Sequence, residues 1–478
     1  MRGFEAGAEL TKKTDYDMVV VGGGIAGLCI AELFSRSGWR VALLEKNSGI
    51  CMEASGAHHG WFHFGSLYSI FPNNQFMRTL VGGIDDLIEY YSGFPGMNIR
   101  VSEDGKLVLP QVDGAWIRDD PIQYIVAARN DRDFNLHVYD GLSNYLRKMF
   151  FTLTWDIAIK QFISRHQRFH KFDWRSGPAS EHIPKAGWRD YSREVIFKPE
   201  GMDCELDPDT HFRVSGFDRP MNPQNIIGDL LKSFIGSGGT FMSACEYTGY
   251  RRQGGVNIVC TRDREFTTKQ LVLSSGKGLK DHLAGKANVN VVASPLLVVY
   301  PAVSNMNLVR LTPFVSRTVN HIRHYANGEA YSVIGGGYFA PPDDESAIAR
   351  AKEELVAAAE KVFPAMAQAE FKEVYVSYKT EMSGELGERN YQYLIKNLDE
   401  NVFAVVPGKF SLGFSLAVNL YKKLVGKPPA GLAKVDQDID VSGFFYGMRH
   451  QNMVKAFIAK RDSGFSPASS TSPFGPNR

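Results

Sequence analysis

The apolar positions near the start of the chain form a continuous run. In "DMVVVGG", from Asp17, apolar and largely β-branched side chains follow one another up to the glycines, the pattern of a strand buried on both faces. "IAGLCIAELFSRSG" then changes period: Leu28, Leu33 and Phe34 fall at helical spacing and Gly38 supplies the stop. "WRVALLEK" is a second buried strand, so the opening reads as strand, turn, helix, strand.

Periodic texture fades between Asp113 and Glu200, where aromatic and basic residues mix without a clear repeat, as in "RHQRFHKFDWRSG". This region reads as an insertion or an irregular part of a second domain. From Met221, an amphipathic helix precedes three strands, with turns at Gly254 and Gly255 and near Asp263. Strands follow around "LLVVYPAV", "LVRLTPF", "NHIRHYA" and "YSVIGGGYF", with Asn327 and Gly328 placed as a type I′ hairpin turn. A long helix over "DESAIARAKEELVAAAEKVFP" comes next. A last strand, "NVFAVV", meets the glycines of "PGKFSLGFSLAVNLYKKLVG", which open into a helix. No internal repeat is present.

Composition narrows the class. The 478 residues, 44% hydrophobic and 22% charged, suit a globular protein of two or three domains. A net charge of +2 gives no electrostatic footprint for nucleic acid. The five cysteines are scattered and never spaced as CxxC, which argues against a disulfide framework and for a reducing compartment. The N-terminus has no apolar signal region, and the longest apolar run, from Val291, holds two prolines and falls short of a membrane span. The chain therefore reads as cytoplasmic, with peripheral membrane contact left open.

The first chemistry-bearing motif is Gly22-x-Gly24-x-x-Gly27, set between a predicted strand and a predicted helix, with Glu45 closing the next strand. Gly22 suits the tight turn, Gly24 lets the backbone approach a pyrophosphate, and Gly27 permits close helix packing. The helix N-terminus offers free N–H groups to phosphates, and Glu45 can accept from a ribose hydroxyl. The expectation is a dinucleotide site.

That opening, followed by "EASGAHHGWFHFGSLY", resembles the D-amino-acid-oxidase-like FAD oxidoreductases, in which a small-residue segment of type ASGxxxG lies along the flavin. The variant here is most similar to that of L-2-hydroxyglutarate and glycerol-3-phosphate dehydrogenases. "QLVLSSGKG" resembles the family's middle FAD segment, "HIRHYANGEAYSVIGGGYF" its substrate-domain hairpin, and "NVFAVVPGKFSLGFSLAVNLYKKL" its closing segment. The resemblance implies FAD, held non-covalently or through a histidyl bond. The expected FAD contacts are Gly22, Gly24, Ile25, Ala26, Gly27, Glu45 and Lys46, then Ser55, Gly56, Ala57 and His58. Glu246, Ser275 and Gly276 follow in the middle segment, and Gly408, Ser411, Leu412 and Gly413 in the closing one.

The implied fold class is α/β: a Rossmann-like FAD-binding domain with a three-stranded β-meander, plus a substrate domain on a mixed, mostly antiparallel sheet. The expected division is a flexible leader over 1–16, a discontinuous FAD-binding domain over 17–112, 201–290 and 371–430, and a substrate domain over 113–200 and 291–370. A C-terminal extension over 431–462 and a disordered tail over 463–478 complete it.

Two departures from the family pattern bear on the substrate. "SYKTEMSG" places Lys379 where the family often has a carboxylate-binding arginine, and a lysine lacks the bidentate fork. The common Arg-Asn-Gly-Gly of the flavin segment is replaced by Ala57, His58, His59 and Gly60. The candidate catalytic residues are His63, His59, His321 and Lys379. The histidines of the flavin segment suit a general base, a flavin tether or a loop lining. On "NHIRHYA", alternation puts His321, Arg323 and Tyr325 on one face and His324 on the other. Arg310, Arg317 and Tyr378 are further candidates, each equally readable as structural. No histidine set has metal spacing, so no metal site is expected. The region from His166 to Trp188 reads as a lid or dimer surface.

The expected function is oxidation of a C–N or C–OH bond of a small anionic substrate by hydride transfer to FAD. Oxygen or a quinone-type carrier would be the electron acceptor. The alternative is a flavin-binding assembly protein without turnover.

Overall fold

The computed structural model describes residues 14–65, 68, 75–101, 107–127, 196–197, 211–215, 218–311, 318–383, 389–435 and 437–463. The candidate Arg317, the tail beyond 463, most of the leader and most of the 113–200 region lie outside the described residues.

The chain opens with β1 (Tyr16–Val21), α1 (Ile25–Arg36) and β2 (Val41–Leu44), and helix α2 (Gln75–Tyr90) follows. Helix α3 (Pro223–Gly236) leads into β3 (Thr240–Met242), β4 (Tyr247–Gln253), β5 (Val256–Thr261) and β6 (Glu265–Leu273). The second sheet then contributes β7 (Val289–Tyr300), β8 (Asn307–Leu311), β9 (Val319–Ala326) and β10 (Glu329–Gly336), followed by α4 (Glu345–Val362) and β11 (Phe371–Ser383). β12 (Leu394–Asp399), β13 (Val402–Val406), α5 (Gly413–Val425) and α6 (Arg449–Asp462) complete the described elements.

The first sheet has a parallel core in the order β3-β2-β1-β6-β13. Alternation decides its two faces. Met18 and Val20 join the cluster under α1, α3 and α5, while Val19 and Val21 join the opposite cluster with Leu271 and Leu273. Both faces are covered, which is why β1 reads as an unbroken apolar run. The far half of β6 pairs with β13, and its near half pairs antiparallel with β5 of the meander β4-β5-β6. Gly254 and Gly255, both at positive φ, turn β4 into β5.

The second sheet has nine strands, centred on β11-β7-β10-β9-β8, edged beside β11 by Arg389–Asn390 and extended beyond β8 by Ile122–Ala127, His211–Ser215 and Ile196–Phe197. β7 and β11 pair antiparallel without slip from Val289↔Met382 to Tyr300↔Phe371. Leu297 and Val299 of β7 face α4, where Leu355 and Ala359 are fully buried. Leu296 and Val298 face the other way, toward Ala57 and α6. Asn327 and Gly328 both take positive φ in the β9-β10 hairpin, as a type I′ turn requires.

The fold class agrees with the sequence expectation, but the sheet pairing moves two domain boundaries. Residues 371–383 were expected in the FAD-binding unit, yet their backbone is committed along its length to β7 of the substrate sheet. Residues 211–215, expected in the same unit, pair with Ile122–Ala127 of that sheet. Apolar alternation does not say which sheet a strand joins, so neither assignment was accessible to it. The expected C-terminal extension also divides: Val441 packs in the core under α1, whereas Val454 and Ile458 of α6 cover the substrate sheet.

Candidate functional site

The glycine turn is built by close approach. Gly22 sits at φ +102°, and a Cβ there would lie 2.8 Å from the Ser274 carbonyl oxygen. A Cβ on Gly27 would fall 2.0 Å from the Gly22 carbonyl oxygen, so α1 can leave the turn this tightly only from a glycine. At Gly24 the nearest neighbour would be the Ser55 hydroxyl at 3.4 Å, which leaves the turn open on that side. Ser55 Oγ accepts from the Ile25 N–H at 2.9 Å, and no acidic side chain occupies the first turn of α1. Ala26 follows in that turn, buried.

The Glu45 carboxylate is fixed by the same turn, accepting from Gly23 N at 2.7 Å and from Asn47 N and Nδ2 at 2.9 and 2.7 Å. Three of its roughly four acceptor directions are filled, which leaves one for a hydroxyl group. Lys46 pairs with Glu53 at 3.4 Å, and Glu246 pairs with Arg262 at 2.7 Å, both among half-exposed side chains. Ser275 lies against Gly22, and Gly276 at φ +56° begins a short 3-10 turn.

The closing segment meets this turn from the other side. A Cβ on Gly413 would lie 3.2 Å from Ile25 and 3.4 Å from Cys29, so the N-termini of α5 and α1 adjoin. Gly408, at φ +67°, lets the chain pass where a Cβ would strike the Tyr391 carbonyl oxygen at 2.3 Å. Leu412 is buried beside it, and Ser411 Oγ is sealed without a hydrogen-bond partner.

Between these walls runs the segment from Ser55 to His63. Gly56 fits only because a Cβ would lie 2.1 Å from the Cys51 carbonyl oxygen. The Ala57 carbonyl accepts from the Tyr375 hydroxyl at 3.1 Å, and the His59 carbonyl lies 2.9 Å from His324 Nε2. His58 Nδ1 accepts from Gly60 N at 2.9 Å, so its proton sits on Nε2. That Nε2 and both ring nitrogens of His59 are buried without partners. Burial pushes the His58 pKa down to about 3 and that of His59 well below the ordinary value, so both rings are neutral at pH 7.

A charged cluster adjoins this segment. On β11, Tyr375, Ser377, Lys379 and Glu381 share one face. Lys379 Nζ donates to Ser294 Oγ at 3.0 Å, and Glu381 binds Arg389 through both carboxylate oxygens. Lys409 lies 4.3 Å from the Tyr391 ring centre and 5.6 Å from that of Tyr68. Burial, reinforced by Arg389, lowers the Lys379 pKa to about 8 and that of Lys409 to about 7. His63 is stacked on Trp61 with ring centres 4.4 Å apart, and its Nδ1 is 3.8 Å from Asp218. Burial takes the His63 pKa down to about 4, with Asp218 opposing the fall.

The structure thus brings together His58, His59, His63 and Lys379 and leaves out His321. Both His321 ring nitrogens are engaged, by the Met306 carbonyl at 2.8 Å and Ser332 Oγ at 2.7 Å, and the ring packs on Phe363. The face of β9 that carries the candidate His321 is the one under α4. The opposite face carries His324, which reaches His59 and lies 4.7 Å from the ring of His450 on α6. Tyr378 shares a cluster with α4, and Lys277 lies over its ring at 5.2 Å. Among the described residues no group suits a metal ion. Asp218, Glu381, Arg389, Lys409 and His450 were missed, because each reaches the site through tertiary contacts that no local spacing announces.

Residues 17–143 match the family model described as FAD dependent oxidoreductase. The mitochondrial L-2-hydroxyglutarate dehydrogenase of Arabidopsis thaliana is 31% identical over 109 residues, 23% of this chain and 22% of that protein. The match thus spans about a fifth of that relative's length. Solved structures that share the fold include two flavin oxidases. Glycine oxidase from Geobacillus kaustophilus superposes with a TM-score of 0.57 at 15% identity, covering 90% of this chain and all of that one. FAD-bound L-alpha-glycerophosphate oxidase from Mycoplasma pneumoniae gives 0.55 at 15% identity, covering 90% and 98%.

The residues present fit the cofactor this family uses. An open glycine turn at a helix N-terminus suits a pyrophosphate, and Glu45 keeps one acceptor for a ribose. The sealed donor on His58 and the Ser411 hydroxyl would each cost about 1–3 kcal/mol if left unmet, and a heteroaromatic ring bearing carbonyl acceptors satisfies such groups. Residues 17–143 thus match the FAD dependent oxidoreductase family model, the described residues share the fold of solved flavin oxidases, and the site they build fits FAD as its cofactor.

Proposed function

We propose that the protein oxidises a small carboxylate-bearing substrate, an amino acid or a 2-hydroxy acid, at its C–N or C–OH carbon. The observation that carries this reading is the pair of half-buried lysines, Lys379 and Lys409, with depressed pKa values beside a site rich in neutral histidine. A lysine near its titration point gains most from an arriving anion, which raises its pKa and fills the missing counter-charge. The Arg389 guanidinium is already matched by Glu381, which leaves the two lysines to hold the carboxylate.

FAD supplies the acceptor for the hydride that leaves the substrate carbon. His63, neutral at pH 7, takes the proton from the substrate hydroxyl or amine, and the electrons of that O–H or N–H bond become the new C=O or C=N bond. Tyr68, Tyr391 and Trp61 wall the site with aromatic surface that excludes water. The protein so acts as an oxidase or dehydrogenase, with oxygen or a quinone-type carrier as acceptor. The charge-matched Arg389–Glu381 pair favours a second reading, a flavin-binding assembly protein that closes its own anion site.

Anaerobic mixing of the flavin-loaded protein with panels of amino acids and 2-hydroxy acids separates the two. Bleaching by a member of either panel supports oxidation and selects C–N or C–OH. A flavin-loaded protein that no member bleaches supports the second reading. Peroxide formed on re-admitting air distinguishes an oxidase from a dehydrogenase, and flavin released by acid denaturation argues against a histidyl bond.

A further inference from the structure

Asp218 is the most completely enclosed carboxylate near the site. It is 0% exposed and precedes the short ladder in which Arg219 and Pro220 pair with Phe62 and Trp61. Its Oδ1 accepts from Phe64 N at 2.7 Å and Gly65 N at 3.1 Å, and its Oδ2 from Trp61 Nε1 at 3.2 Å and the Tyr124 hydroxyl at 2.6 Å. Burial alone would raise its pKa, but His63, Tyr124 and the Phe64 N–H outweigh that and hold it below the usual range. A full negative charge is therefore sealed beside His63.

The His63 ring cannot turn freely away from that charge, because it is stacked on Trp61 and lies 5.4 Å from the ring of Tyr68. Nδ1 is buried, 3.8 Å from Asp218 Oδ2 and too far for a hydrogen bond. The other charges acting strongly on the ring, Lys409 and Lys379, are cations. A neutral imidazole must place its one proton on one nitrogen, and a lone pair aimed at a carboxylate is repelled where an N–H is attracted.

We propose that Asp218 is a positioning residue that fixes the tautomer of His63, keeping the proton on Nδ1 and leaving the lone pair on Nε2. The use of that lone pair as the proton acceptor rests on the function proposed above; the tautomer assignment does not. Asp218 binds the loop through Phe64 and Gly65 and orients the ring through its charge, so one side chain sets both the place and the polarity of the base.

The test is ¹⁵N NMR of the histidine-labelled, flavin-loaded protein at neutral pH, with the His63 signals identified by their loss in His63→Gln. The wild-type protein is expected to show a protonated Nδ1 and an unprotonated Nε2. In Asp218→Asn the Nε2-protonated form should gain population. Tyr124→Phe keeps the carboxylate and should keep the wild-type pattern. A wild-type His63 protonated on Nε2 overturns the proposal, as does a folded Asp218→Asn with an unchanged tautomer or a Tyr124→Phe that loses it. If Asp218→Asn does not fold, the wild-type and Tyr124→Phe spectra still decide. In Asp218→Asn the anaerobic bleaching rate should fall about a hundredfold with little change in substrate Kd. A changed tautomer with an unchanged rate would leave the Asp218 assignment standing and remove His63 from the proposed chemistry.

Discussion

Lys409 carries the most direct consequence of the site's electrostatics. Burial holds its pKa at about 7 before substrate arrives, and a bound carboxylate raises it, so binding takes up a proton. KM for an anionic substrate is therefore expected to rise as pH increases above about 8, where both Lys409 and Lys379 lose their charge in the free protein. Lys409→Met should raise KM at least tenfold with a smaller effect on kcat, as steady-state kinetics over pH 6 to about 9 will show. A KM that is flat with pH in the wild-type protein would argue against a carboxylate held by lysine. At this scale the sequence was legible where chemistry is local. His58, His59 and His63 stand out by their clustering, whereas Lys409 looks like any lysine in a glycine-rich loop. Its character comes from Tyr391 and Arg389, which only the folded chain brings near.

Among the elements, the strand, turn and helix at the start are the most tightly determined. Both Gly22 and Gly27 face backbone oxygen at distances no side chain tolerates, so Gly27→Ala must push α1 away from the turn. The expected outcome is purified protein that retains far less flavin, read from absorbance, with the meander and the substrate sheet intact by circular dichroism. Full flavin retention would contradict the pyrophosphate assignment. This element could be read in advance because a continuous apolar run, a glycine pattern and a helix follow one another in sequence. β9 and β11 could not be so read. Alternation correctly separates His321 from His324, but which face of a strand meets the cofactor depends on where α4 and α6 pack. Here α4 covers His321 and α6 brings His450 over His324.

At the level of the molecule, the buried neutral histidines couple the site to acid stability. Burial depresses the folded pKa of His63 to about 4 and of His450 to about 3, against 6.5 for an unperturbed ring. On acidification the unfolded chain takes up these protons before the folded one does. Stability is therefore fully present above about pH 6.5 and is lost as pH falls toward the folded values, by up to about 1.4 kcal/mol per pH unit for each group. Urea unfolding midpoints should drop steadily from pH 7 to about 5, and a midpoint that rises over that range would contradict the neutral state of these rings. Among the described residues no helix is long and apolar enough to cross a membrane.

Oxidation of a carboxylate-bearing substrate held by Lys379 and Lys409 is tested most directly by one anaerobic experiment. A substrate that bleaches the flavin is compared with its methyl ester in the wild-type protein and in Lys409→Met. The acid is expected to bleach the wild-type flavin rapidly and its ester to bind at least tenfold more weakly in apparent Kd, with a smaller discrimination between acid and ester in Lys409→Met, where only Lys379 remains. Equal affinity for acid and ester in the wild-type protein would contradict that role of the lysines.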